Sequence, residues 1–126
     1  MTPMSPVPVV VIVGTYLRQG RSLALEMAQT HAGQGLQAVI VEGGPGTLTA
    51  PPGVELVQLA AGCVCCLGQL PLRVTVARMI RQLRPARLWM EISDGSHLPE
   101  LRRQLDGPGF AGAIRLDLDF GTLAPN

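Results

Sequence analysis

The sequence predicts an α/β fold, a mostly parallel sheet with helices on both faces. Three observations predict it. The run Val7-Pro8-Val9-Val10-Val11-Ile12-Val13 is apolar throughout and rich in β-branched residues, the pattern of a strand covered on both faces in a parallel sheet. Further apolar runs of strand length follow, alternating with segments whose apolar residues recur at helical spacing. At 126 residues, 47% hydrophobic and 15% charged, the chain is long and apolar enough for one domain with a single core.

Met1 to Pro6 carries two prolines and no periodicity and reads as a loose lead-in, with residues 7–126 as a single domain. Val7 to Val13 is the first strand, and Gly14 ends it. Gly20 to Ala32 reads as a helix because Leu23, Ala24, Met27, Ala28 and His31 share one stripe, with Gly33 and Gly35 as stop signals. Leu36 to Val41 is the second strand. Gly43 to Gly53 holds four glycines and three prolines, a loop composition, and Val54 to Leu59 is the third strand. Leu72, Val76, Ile80 and Leu83 then recur at helical spacing, with Arg73, Arg81 and Arg84 on another face, so a helix is expected from Gln69 to Arg84, closed by Pro85. Arg87 to Ile92 is the fourth strand, Leu98 to Leu105 a short helix with Pro99 near its start, and Ala113 to Leu118 the fifth strand. Connections between parallel strands are expected to be right-handed.

Composition narrows the function. The formal net charge is +1, and the ten basic residues, all arginine, are spread over several segments, which argues against a dedicated nucleic-acid surface. The Val7–Val13 run is too short to span a bilayer and lacks the basic flank and small-residue cleavage site of a secretion signal, so no membrane association is expected. An odd number of cysteines, three, packed together without such a signal fits a reducing compartment, and the cytoplasm is the expected location.

In open parallel sheets, ligands bind beyond the carboxyl ends of the strands. Three stretches with chemistry fall there: Gly14 to Ser22 after the first strand, Gly62-Cys63-Val64-Cys65-Cys66 after the third, and Glu91 to Gly95 after the fourth. The first is similar to a phosphate-binding loop, in which backbone N–H groups cradle phosphate, a lysine reaches the terminal phosphates and Ser or Thr holds magnesium. It departs from that motif in three ways. Five residues separate Gly14 from Gly20 where the motif has four, Arg21 stands where lysine belongs, and Tyr16, Leu17 and Arg18 fill the turn. Arginine pairs with phosphate, but its planar fork does not reproduce the compact ammonium of lysine.

The cysteines form the second stretch. Three thiols within four residues suit a soft metal; Cys63 and Cys65 share one side of an extended chain, and a turn brings Cys66 round to join them. They supply part of a tetrahedral zinc shell, leaving the fourth position to water, Glu42, His97 or another chain. Two other readings stay open: inert buried thiols behaving as small hydrophobes, and a redox site exchanging disulfides. Among the remaining polar residues, His31 reads as a helix-end or partly buried residue, and His97 as a helix-start residue or a ligand. Glu91 reads as a site carboxylate or an arginine-paired one. Asp117 and Asp119, and the arginines of the second helix, read as solvated.

Taken together, these motifs resemble the CobW-type family of P-loop GTPases and metallochaperones, relatives of the hydrogenase and urease nickel-insertion GTPases. The phosphate-loop candidate comes first, then a valine-rich strand ending in Glu42, then "GVELVQLAAGCVCC", similar to that family's Cys-x-Cys-Cys segment after a strand, then "RLWMEISDG", similar to its apolar strand ending in glutamate. The likeness covers most of residues 7–118. It implies a P-loop NTPase-like three-layer sandwich with Gly14, Gly20, Arg21, Ser22 and Glu91 at the nucleotide, Ser22 on magnesium and Glu91 at the Walker B position. It also implies Cys63, Cys65 and Cys66 as metal ligands with zinc or cobalt as cargo, Glu42 as the glutamate coupling nucleotide to metal, and a metal-receiving protein as partner.

The departures from the family qualify these expectations. The catalytic lysine is missing, the segment around Asp94 and Gly95 carries an insertion relative to the family's Glu-Thr-Ser/Thr-Gly pattern, and the chain reaches Asn126 without the Asn-Lys-x-Asp guanine-reading motif, which a sequence without lysine cannot contain. Phosphoryl transfer depends on positioned positive charge at the β- and γ-phosphates, so efficient hydrolysis is not expected and no catalytic residue is assigned. The expectation is a degenerate, truncated CobW-like domain that binds metal through the cysteine loop, with GTP and magnesium binding weak or lost. The alternatives are a GTP-binding domain of low activity and a non-catalytic interaction module of the same fold.

Overall fold

The computed structural model describes residues 6–13, 22–42, 49–59, 69–92, 98–105 and 114–117. Within them the chain runs β1 (Val7–Val13), α1 (Leu23–Thr30), a 3-10 turn (Ala32–Gln34), β2 (Gln37–Glu42), β3 (Val54–Leu59), α2 (Gln69–Leu83), β4 (Arg87–Ile92), α3 (Leu98–Leu105) and β5 (Ile114–Asp117). The five strands form one sheet in the order β3-β2-β4-β1-β5, and every described pairing is parallel.

Burial on both faces explains why the central strands are continuously apolar. Val9, Val10, Val11 and Ile12 of β1, and Leu88 through Ile92 of β4, are all completely buried. Alternation divides them between two layers. Val9, Val11, Ala38, Ile40, Leu88 and Met90 face Val76, Met79 and Ile80 of α2 and Leu105 of α3, whereas Val10, Ile12, Val39, Val41 and Trp89 face Ala24 and Ala28 of α1. The result is the expected three-layer sandwich. Two small residues, Ala24 and Ala28, bring α1 close to the sheet where the large Trp89 ring fills the space. Pro8, which has no N–H to contribute, comes just before Val9, the first β1 residue registered with β4.

Element ends differ from the sequence expectation in instructive ways. The helix expected to Ala32 stops at Thr30, then tightens into a 3-10 turn that runs through Gly33. The break falls instead at Gly35, whose φ of 132° is favourable only for glycine and whose Cα lies so close to Ala86 that an added Cβ would sit 3.0 Å from the Ala86 Cβ. Helix α2 ends at Leu83, one residue before the expected Arg84. The following Pro85 prevents Arg84 from continuing the helix; Arg84 takes a left-handed φ of 45°, the conformation of a helix-terminating residue, and its N–H still reaches the Ile80 carbonyl at 3.2 Å. Strand β2 is registered from Gln37 to Glu42, one residue later than expected at each end; of the expected β5, Ile114–Asp117 is described as strand, and Ala113 and Leu118 lie outside the described residues.

Candidate functional site

The strand order creates a switch point. From β1 the chain crosses over β4's place to β2, and from β4 it crosses β1's place to β5, so the two neighbouring strands send their connections in opposite directions. Between the carboxyl ends of such a pair a crevice opens, and ligands of open α/β sheets bind there.

Ser22 and Glu91 meet beside this switch point. Ser22 ends the connection from β1, takes an extended conformation (φ −125°, ψ 118°) and is the N-cap of α1. Its hydroxyl accepts from the Leu25 N–H at 3.1 Å, the side-chain cap expected of serine. The same hydroxyl donates to Glu91 Oε1 at 2.7 Å, and the Ala24 N–H donates to that oxygen at 3.0 Å. Glu91 is the penultimate residue of β4 and completely buried, on the α1 side of the sheet through the same alternation that places Trp89 there. Two first-turn N–H groups of α1, those of Ala24 and Leu25, are thus satisfied by side-chain oxygens. The positive end of the α1 dipole favours the carboxyl beside it.

Glu91 Oε1 is doubly bonded, but Oε2 is buried with no partner among the described residues. The Ser22 hydroxyl, with one donor and one acceptor position used, retains a lone pair. Two hard oxygen donors with free acceptor capacity, at a helix N-terminus beside the switch point, are the donor type magnesium takes. Of the two readings of Glu91 left open by the sequence, no arginine among the described residues pairs with it; its partners are Ser22 and the α1 backbone.

A second polar cluster locks the other end of α1. The Trp89 indole donates to Gln37 Oε1 at 2.8 Å, and Gln37 Nε2 donates to the carbonyls of His31 and Gly35, each at 3.1 Å. His31 is the C-cap of α1; its Nδ1 lies 2.8 Å from the Met27 carbonyl, which makes Nδ1 the protonated nitrogen, and its ring tilts against Trp89 at 5.1 Å between centroids. The Arg87 guanidinium stands 5.4 Å from the same indole. The half-buried helix-end reading of His31 is therefore correct. Sequence reasoning missed this cluster: Gln37 is a polar residue at the head of an apolar strand, and nothing local marks it as buried.

The structure brings Ser22 and Glu91 together. Gly14, Gly20, Arg21, Cys63, Cys65, Cys66 and His97 lie outside the described residues, and of Glu42 only the backbone, at the end of β2, is described. Among the described residues no group of three or more His, Cys, Asp or Glu side chains is gathered as a metal site, and no helix is long and apolar enough to cross a membrane. In chain order the cysteine segment falls between β3 and α2.

The fold defines a parallel α/β domain with a switch point between β1 and β4. Over 80 residues, 64% of this chain and 24% of the relative, the sequence is 31% identical to the zinc chaperone YeiR of Escherichia coli (strain K12). The chain spans about a quarter of the length of that curated relative. No family model matches the chain, and no solved structure matches it.

Proposed function

We propose that this chain is a CobW-like zinc-binding domain of a cytoplasmic metallochaperone, holding zinc (or cobalt) through Cys63, Cys65 and Cys66 for delivery to a recipient protein. The observation that carries the reading is the similarity to a zinc chaperone in a chain whose three cysteines all fall within Gly62 to Cys66. Thiolate donors suit both metals, and a three-thiolate set leaves a position through which zinc can be exchanged. Residues 7–126 are read as one domain. The test is metal content: anaerobically purified protein should carry about one zinc per chain, and Cys65→Ser should lose it. Protein without thiol-dependent zinc or cobalt at micromolar free metal would refute the reading.

A second activity is favoured by the Ser22–Glu91 bond: weak binding of a magnesium–GTP complex, with little hydrolysis. The two oxygens would hold magnesium, which supplies positive charge against the phosphates, while the α1 N-terminus, Gly14, Gly20 and Arg21 would face the phosphate chain. Calorimetric titration with magnesium and GTP tests it. Binding that disappears in Arg21→Ala supports the assignment, and absence of heat or thermal shift up to millimolar nucleotide excludes it.

A further inference from the structure

Helix α2 turns Val76, Met79 and Ile80 into the core and leaves Val74, Arg78, Arg81 and Gln82 outside. Val74 is 44% exposed and is the one large hydrophobic residue exposed among the described residues. It does not stand alone: Val74, Ala77, Arg78, Arg81 and Gln82 follow one another at helical spacing and line a shallow groove of about 310 Å³. The segment Gln69 to Arg84 contains four of the ten arginines and no acidic residue, although the whole chain is nearly neutral at +1. Arg78 and Arg81 are exposed and make no ion pair among the described residues, and α3, packed beside α2, adds exposed Arg102.

We propose that the outer face of α2 docks an acidic segment of a partner protein, one apolar side chain of which rests on Val74 and Ala77 flanked by Arg78 and Arg81. The choice of partner follows from charge. The Arg78 and Arg81 guanidinium groups, without an acidic partner among the described residues and beside an apolar floor, match carboxylates flanking an apolar side chain, and arginine forks pair with carboxylates in two parallel bonds. A single-stranded nucleic acid fits less well, because α2 offers no aromatic side chain on which a base could stack. A second copy fits poorly, because the face offers arginines and no acidic residue with which the same face of another copy could pair. The docking surface rests on the packing of α2 and not on the zinc reading.

Panning the full chain against a displayed library of random twelve-residue peptides tests the proposal. Enriched peptides should share an apolar residue flanked by at least two acids. The affinity of a representative peptide should fall about tenfold or more in the Arg78→Glu, Arg81→Glu double variant, and by a smaller factor in Val74→Ser. Because these side chains are exposed, the thermal midpoint should stay unchanged in both variants. Any of four results overturns the proposal: no enrichment, peptides without acids, undiminished binding by the double variant, or equal competition by a twelve-nucleotide uridine RNA. Concentration-dependent dimerisation in sedimentation that the double variant abolishes would also overturn it, in favour of self-association.

Discussion

The Ser22 hydroxyl and the Glu91 carboxyl, 69 positions apart in the chain, are joined by a buried 2.7 Å hydrogen bond that ties the start of α1 to the end of β4. Glu91 holds Ser22 and the Ala24 N–H through a single oxygen. Ser22 in turn caps α1 through Leu25.

Stability should reveal this coupling directly. Glu91→Ala removes the shared acceptor and leaves two buried donors unsatisfied, an expected loss of about 2–3 kcal/mol. Ser22→Ala loses the cap and one Glu91 contact, an expected loss of about 2 kcal/mol. Because the residues share one network, the double variant should lose less than the sum by about 1 kcal/mol or more. Urea unfolding of the four proteins measures it; strictly additive losses would mean that the bond carries no pairwise energy.

Glu91→Gln separates folding from charge. The amide keeps an oxygen for Ser22 and Ala24, so the variant should fold, yet it removes the negative charge and replaces one oxygen by a donor. Magnesium should strengthen GTP binding to the wild-type chain, and that enhancement should fall about tenfold, or ~1.4 kcal/mol, in the variant. Equal magnesium dependence in both proteins would remove Glu91 from the proposed site.

The lock at the carboxyl-terminal end of α1 is testable through the single tryptophan. Trp89 is completely buried, so iodide should quench its fluorescence poorly until the protein unfolds. Gln37→Leu orphans the indole N–H and the two carbonyls that Gln37 caps, with an expected cost of about 1–3 kcal/mol. An unchanged denaturation midpoint would show that these three hydrogen bonds contribute no net stability.

Gly35→Ala tests the turn between α1 and β2. The new Cβ would meet Ala86 at 3.0 Å in a backbone conformation with φ of 132°, and the expected cost is about 1–3 kcal/mol. Gly33→Ala is the control: an added Cβ there meets nothing within 4 Å, so little change in stability is expected.

Much of the fold was legible. The uninterrupted apolar run of β1, the interrupted helical stripes of α1 and α2, and the proline after Arg84 each announce their element through local chemistry. Glu91 was legible as a carboxyl at the end of an apolar strand, where burial demands a partner. Its actual partner was not, because the two residues that satisfy it, Ser22 and Ala24, lie far away in sequence. Gln37 shows the same limit: nothing local distinguishes a polar residue at a strand's exposed edge from one that holds a buried indole and a helix end together.

Alternation and periodicity in the sequence alone determined that strands and helices alternate around one core and that the cysteines follow a strand. The tertiary structure decided the strand order, and with it everything about the crevice described above. Only because β4 inserts between β2 and β1 does Glu91 come beside the α1 N-terminus. Local propensity is set by neighbours a few residues away, whereas strand order is a global choice made by packing two faces of one sheet at once.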